Sequence, residues 1–137
     1  MRILVADDNV LVRRSLVEAL SRENKWQICD EAVNGLEAIR MARELLPDLV
    51  LLDVSMPGMS GLEAARLIRE ALPHAGILII IHHDCTRLQP AALVAGANDC
   101  IEKTRIAFDL FTEIERSPRT RIAPGPFLSA LLASRSI

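Results

Sequence analysis

Aromatic side chains are scarce in this chain. Only 3% of its 137 residues are Phe or Trp, and there is no tyrosine. A core built almost without rings has to be filled by Leu, Ile, Val and Ala, and half of the residues are hydrophobic. Charge of one sign is also lacking: 16 Lys and Arg face 18 Asp and Glu, for a formal net charge of -2. That balance excludes a global basic field for nucleic acid or for an anionic membrane. No apolar run approaches the roughly 18 residues of a membrane span. The first residues lead directly into a strand, without the charged and apolar regions of a signal peptide. The expected setting is therefore the cytoplasm, with no membrane association. The three cysteines, Cys29, Cys85 and Cys100, are an odd set without a CxxC spacing. They read as reduced thiols rather than a disulfide framework or a zinc site. The length suits one domain with a single core and is short for two.

What is present is an alternation of apolar runs and helical stripes. Arg2 to Ala6 predicts a strand. Val10 to about Arg22 predicts a helix with Leu11, Leu16, Val17 and Leu20 on its stripe, capped by Asp8 or Asn9. Trp26 to Cys29, extending towards Ala32, predicts a second strand. Asn34 caps a helix that stops before Pro47. Leu49 to Leu52 is apolar throughout, as in a parallel strand covered on both faces. Ser60, with Glu63 three residues on, has capping-box spacing and opens a helix that ends before Pro73. Ile77 to Ile81 predicts another buried strand, Pro90 to Ala95 a weak helix ending at Gly96, and Cys100-Ile101 a short strand. Ile106 to about Arg116 predicts a last helix. Five βα units imply an α/β fold, a parallel sheet with helices on both faces, and ligands bind outside the carboxyl ends of its strands. After Ser117 a basic stretch and Ala123-Pro124-Gly125-Pro126 break the pattern. The expected division is one domain over residues 1–117 and a tail or linker over 118–137 with no output domain.

The strand ends carry the chemistry. Asp53 closes the run Leu49 to Leu52 and opens into the Pro/Gly loop Ser55-Met56-Pro57-Gly58-Met59-Ser60-Gly61. Asp7 and Asp8 follow the first strand and Lys103 the last. Clustered carboxylates repel one another, and a hard cation such as Mg²⁺ relieves that repulsion while keeping positions open for phosphate oxygens. Asp53 then suits nucleophilic attack on phosphorus, with Lys103 offsetting charge on the transferring group. The blander alternative is that Asp7 and Asp8 only cap the first helix and Asp53 only the loop. It is disfavoured because four charged groups meeting at strand ends are costly without a purpose.

The motifs Ile3-Leu4-Val5-Ala6-Asp7-Asp8-Asn9, Leu51-Leu52-Asp53-Val54-Ser55-Met56-Pro57-Gly58-Met59-Ser60-Gly61, Ala95-Gly96-Ala97-Asn98-Asp99 and Lys103 resemble the receiver domain of bacterial two-component response regulators. The resemblance covers about Met1 to Ser117. Val12-Arg13-Arg14 and the residues leading into Asp53 look most like receivers fused to a LuxR-type helix-turn-helix. It implies a flavodoxin-like, doubly wound (βα)5 fold with strand order 2-1-3-4-5. It also implies Asp53 as phosphoacceptor, forming 4-aspartylphosphate, and Mg²⁺ held by Asp8, Asp53 and the backbone carbonyl of Ser55, with Asp7 helping through water. Lys103 would contact the phosphoryl oxygens, and a histidine kinase would be the phosphodonor. Such a module is no enzyme in the ordinary sense, although it assists its own phosphotransfer and dephosphorylation. A homodimer through the fourth and fifth helices is within the family's habits. A DNA-binding output domain would belong to this chain only if it is a fragment of a longer regulator, since a helix-turn-helix needs roughly 60 further residues.

Three positions depart from the receiver pattern. Ile81 stands where the fourth strand usually presents Ser or Thr, and it has no hydrogen bond to donate. Cys100 stands where the last strand usually carries a Tyr or Phe that swings inward. Thr104 replaces the proline that usually follows the lysine. His82 takes a place usually held by a small residue, where it either shields the phosphoryl group from water or donates to it. Adjacent His82 and His83 point opposite ways on an extended segment and make a poor metal pair. Cys85 falls in an expected exposed loop. Two readings stay open: a phosphoacceptor with an atypical switch, and a phosphorylation-independent pseudo-receiver used for interaction or dimerisation. A haloacid-dehalogenase-like phosphatase is disfavoured, because the second acid it needs two residues after the nucleophile is here Ser55.

Overall fold

The apolar runs form the strands predicted from them. The computed structural model describes residues 1–22, 24, 26–82 and 85–103. Along them run β1 (Arg2–Ala6), α1 (Val10–Ser21), β2 (Gln27–Ala32), α2 (Gly35–Leu45), β3 (Leu49–Asp53), α3 (Gly61–Ala71), β4 (Gly76–Ile81), α4 (Cys85–Val94) and β5 (Asp99–Glu102). All five strands are parallel, in the order β2-β1-β3-β4-β5. This is the flavodoxin-like order, with its switch point between β1 and β3. The period of two along each strand divides the core into two layers. Ile3, Val5, Leu49, Leu51, Leu78, Ile80 and Ile101 pack with Leu16, Leu20 and Trp26 on one side. Leu4, Ala6, Val50, Leu52, Ile77, Ile79 and Cys100 pack against α2, α3 and α4 on the other.

Local polar chemistry sets the helix starts. Asn34 Oδ1 accepts the Glu37 amide at 2.8 Å, and Ser60 Oγ accepts the Glu63 amide at 3.2 Å. Asn9, rather than Asp8, caps α1, accepting from Leu11 and Val12. At the opposite end of the sheet from these loops, Arg69 of α3 acts as a clamp. Its Nε donates to Gly96 O at 2.9 Å and its Nη2 to Asn98 Oδ1 at 2.9 Å. Its Nη1 reaches the carbonyls of Leu72, Pro73 and Ala75. Asn98 Oδ1 also accepts the Ile77 amide, so one guanidinium ties α3 to the starts of β4 and β5.

Three expectations need correction. Trp26 is buried but precedes β2, which runs from Gln27 to Ala32. More important for function, α4 begins at Cys85, five residues before the expected start, and holds Pro90 inside it. Proline is comfortable in a helix's first turn, so its position in the sequence suggested a start there. Here it is the sixth residue and removes one rung of the hydrogen-bond ladder. Cys85 and Ala92, both buried, hold the helix to the sheet in spite of that loss. Cys85 is thus a buried helix-start residue and not an exposed loop residue. The helix expected over 106–116, the tail from 118, Thr104 and His83 lie outside the described residues.

Candidate functional site

The sheet register brings the acids together. Ala6 of β1 pairs with Leu52 of β3, so the next residues, Asp7 and Asp53, leave adjacent strands side by side. Asp7 is 0% exposed and Asp53 2%. Asp8 follows in the loop and is exposed. Carboxylate oxygens of Asp7, Asp8 and Asp53 all lie within 4.8 Å of one another. Lys103, two strands away, follows Glu102, which pairs with Ile81 of β4. Its long side chain crosses back to the acids, with Nζ 3.0 Å from Asp53 Oδ1 and 3.2 Å from Asp7 Oδ2. Only 6% of that side chain is exposed.

The surrounding backbone holds this cluster. Asp7 Oδ1 accepts the Asn9 amide at 2.8 Å, fixing the turn into α1. Arg13 donates to the carbonyl of Asp7 at 2.8 Å and pairs with Glu31 at 2.9 Å. Asp53 Oδ1 accepts the Ser55 amide at 3.3 Å. The loop then turns through Gly58, whose φ of +82° favours glycine. It returns so closely that Gly61 N donates to Val54 O at 2.9 Å. A Cβ on Gly61 would sit 2.2 Å from the carbonyl oxygen of Asp53.

Three carboxylates against one ammonium leave uncompensated negative charge. Burial, chiefly, and then the charge of Asp7 push the Asp53 carboxyl up to about 6, against the opposing pull of Lys103 and the Ser55 amide. Burial alone would lower the Lys103 ammonium, but Asp53 and Asp7 outweigh it and hold the ammonium above its ordinary value. Asp53 is still mostly ionised at neutral pH, as a nucleophile must be. Asp7 Oδ2 is buried and, among the described residues, accepts no hydrogen bond; its one close cation is Lys103 Nζ at 3.2 Å. A buried carboxylate oxygen with that unmet capacity, beside two further acids, suits a hard divalent cation.

A pH dependence follows from the raised Asp53 carboxyl. Its contribution to stability is complete below the unfolded value of 3.8 and is lost as pH rises through about 6. In metal-free buffer, Asp53→Asn should therefore gain stability over the parent between pH 4 and pH 7, on the order of 1–2 kcal/mol once screening is allowed for. Urea midpoints at three pH values test this. A parent and variant that stay parallel across the range would contradict it.

The remaining sequence-predicted residues lie on β4 and β5 and in the loops after β3 and β4. Ile81 ends β4, half-buried and packed with the α2–α4 layer. His82 follows and is exposed. Ser55 is exposed in the loop, its amide turned to Asp53. Cys100 is buried in β5 and meets Cys85 of α4, with 3.0 Å between the sulfurs. Sequence reasoning missed Arg13 as the support of Asp7. Its place one turn into α1, with Glu31 at the end of β2, was the available signal.

The sequence matches the response regulator receiver domain family over residues 3–115. It is 31% identical over 133 residues to a probable transcriptional regulatory protein NarL of Mycobacterium tuberculosis, covering 97% of this chain and 62% of that protein. It is 36% identical over 104 residues to a protein-glutamate methylesterase/protein-glutamine glutaminase of Vibrio vulnificus, covering 75% of this chain but 28% of that protein. The chain thus spans less than two thirds of either relative. Among solved structures, a LuxR-family two-component response regulator from Aurantimonas superposes with a TM-score of 0.78 at 32% identity, over 98% of this chain and 96% of the other. The signal receiver domain of the putative response regulator NarL from M. tuberculosis does so with a TM-score of 0.71 at 36% identity, over 77% and 89%.

Proposed function

The chain belongs to the response regulator receiver domain family, and from that premise we propose that it accepts a phosphoryl group from a histidine kinase on Asp53. The observation that carries this reading is the cluster itself: Asp53 buried beside Asp7, with Lys103 Nζ 3.0 Å from its carboxylate. An Asp53 carboxylate oxygen would attack phosphorus while the P–N bond to the donor imidazole breaks. The electron pair leaves with the imidazole nitrogen. The Lys103 ammonium, already on Asp53 Oδ1, is placed to offset charge on the phosphoryl oxygens. Asp7, Asp8, Asp53 and the Ser55 carbonyl are the proposed holders of Mg²⁺, which when bound offsets the charge of the acids and of the incoming phosphoryl group. Val10 and Leu11, exposed beside Asp8 at the start of α1, offer the donor protein an apolar contact.

The proposed receiver unit is residues 1–117, supported by the family match over 3–115, with 118–137 as a tail or linker. No helix of the described residues is long and apolar enough to cross a membrane; a cytoplasmic setting is proposed from the family alone. The methylesterase activity named for the Vibrio protein is not carried over, because the aligned residues are 28% of that protein. Transcriptional regulation, named for the mycobacterial relative, is proposed only for a longer protein of which this chain would form part.

Acetyl phosphate with Mg²⁺ tests the reading. Intact mass should rise by about 80 Da on the full chain, and chelation should abolish the gain. A chain that stays unmodified in Mg²⁺ would favour the second reading, a phosphorylation-independent interaction module. That reading draws on Ile81, an aliphatic residue where relatives usually present a hydroxyl. The same position gives a further expectation. Ile81→Thr restores a donor beside the transferring group and should speed phosphorylation about 10- to 100-fold. An unchanged rate would mean that the missing hydroxyl is not what limits transfer.

A further inference from the structure

Outside the acidic cluster, the most chemically pointed contact among the described residues is the one between Cys85 and Cys100. The two sulfurs lie 3.0 Å apart, about 1 Å beyond the length of a disulfide bond. The residues are 5% and 3% exposed. They join the first residue of α4 to β5. One turn further along α4, Gln89 Nε2 donates to Asp99 Oδ1 at 3.3 Å, so a second tie holds the same two elements in the same alignment. Neither sulfur is in a disulfide. A pair this close needs little backbone movement to close, and cysteines that respond to oxidants often stand beside a resolving partner.

We propose that Cys85 and Cys100 form a reversible disulfide when the chain meets a low-molecular-weight disulfide such as oxidised glutathione. Cys85 is the first residue of α4. It attacks one sulfur of the oxidant, a mixed disulfide forms, and one glutathione leaves as a thiol. Cys100 then attacks the Cys85 sulfur and releases the second glutathione. The protein gives up two electrons and two protons, and one oxidised glutathione becomes two reduced ones. Burial makes the pair depend on an opening of α4 for access. Pro90 supplies that weakness, since it leaves one rung of the helix unmade near its first turn. The bond would fasten the start of α4, four residues after Ile81, to the strand that leads into Lys103. Cys29, on β2 with its Sγ donating to the Ile3 carbonyl, takes no part.

The test uses the full reduced chain, without any phosphoryl donor, so its outcome is independent of the phosphoacceptor reading. After incubation with oxidised glutathione and alkylation under non-reducing conditions, one alkylatable thiol should remain of three. The unalkylated oxidised chain should be about 2 Da lighter than the reduced one, and its digest should contain a linked pair of peptides carrying Cys85 and Cys100. Dithiothreitol should restore all three thiols. Cys29→Ser should still cross-link, and Cys100→Ala should not. Three alkylatable thiols after oxidation would overturn the proposal. So would stable glutathione adducts without a link, or a link that uses Cys29.

Discussion

Asp53→Asn is expected to take up no phosphoryl group from acetyl phosphate, a fall of more than about 10³-fold in the rate of the mass gain. The lone pair of the amide nitrogen is delocalised into its carbonyl, and the amide oxygen is a far weaker nucleophile than a carboxylate. Loss of modification alone could reflect a damaged fold, and the electrostatics of the site separate the two cases. The wild-type carboxyl is pushed up to about 6 by burial and by Asp7, so its ionised form is a burden on the metal-free fold. The variant should therefore be dead as an acceptor and, at neutral pH without metal, more stable than the parent. It should also lose much of the thermal stabilisation expected from Mg²⁺ at the proposed site of the parent, which by mass action would reach about 2.7 kcal/mol at 100 times the dissociation constant. An inactive variant that was less stable under metal-free conditions would point to packing rather than to a lost nucleophile. A variant still modified at the parental rate would move the acceptor away from Asp53.

Gly61→Ala should be the most damaging small substitution near the site. A Cβ at Gly61 would stand 2.2 Å from the carbonyl oxygen of Asp53 and 2.9 Å from both its carbonyl carbon and the Cα of Val54. These are backbone atoms, so no rotamer change relieves the overlap. The amino end of α3 would have to move away from β3, straining the Gly61 N–Val54 O bond at 2.9 Å. A cost of about 3 kcal/mol or more is expected. For a domain of this size that lowers the melting temperature by about 10–20 °C, with Mg²⁺ affinity falling as the Asp53 carboxylate shifts. Gly58→Ala is the control. It sits in the same loop with φ +82° and nothing within 4 Å of its added Cβ, so it carries backbone strain of only about 1–2 kcal/mol. Equal losses from the two variants would show that loop conformation, not close approach, is what Gly61 provides.

The difference between these glycines also marks how far the sequence could be read. Strands announce themselves where burial on both faces leaves no choice but aliphatics, as in Leu49 to Leu52 and Ile77 to Ile81. Residues that follow such runs are placed by topology, which is why Asp7, Asp53 and Lys103 could be named and why they converge. Local punctuation was less faithful. Pro90 suggested a helix start, yet tertiary burial of Cys85 and Ala92 carries α4 through it. The Cys85–Cys100 contact follows from that longer helix, so it was hidden by the same misplacement. Arg13 and Arg69 escaped notice for a different reason. Each works by reaching backbone carbonyls outside its own helix, and a carbonyl leaves no trace in the residue type.

The Arg69 clamp gives the β4–β5 half of the molecule a mechanical asymmetry. Its guanidinium ties α3 to the Gly96 carbonyl after α4 and to Asn98 at the amino end of the strands, while Ile81 and Lys103 lie at their carboxyl end. A rod held at one tip does not slide; it swings. Any push generated at Asp53 would therefore meet a fulcrum near Gly96, and displacement would grow along α4 towards Cys85. The largest excursion would fall on the helix end nearest the acids, and the far end would stay still.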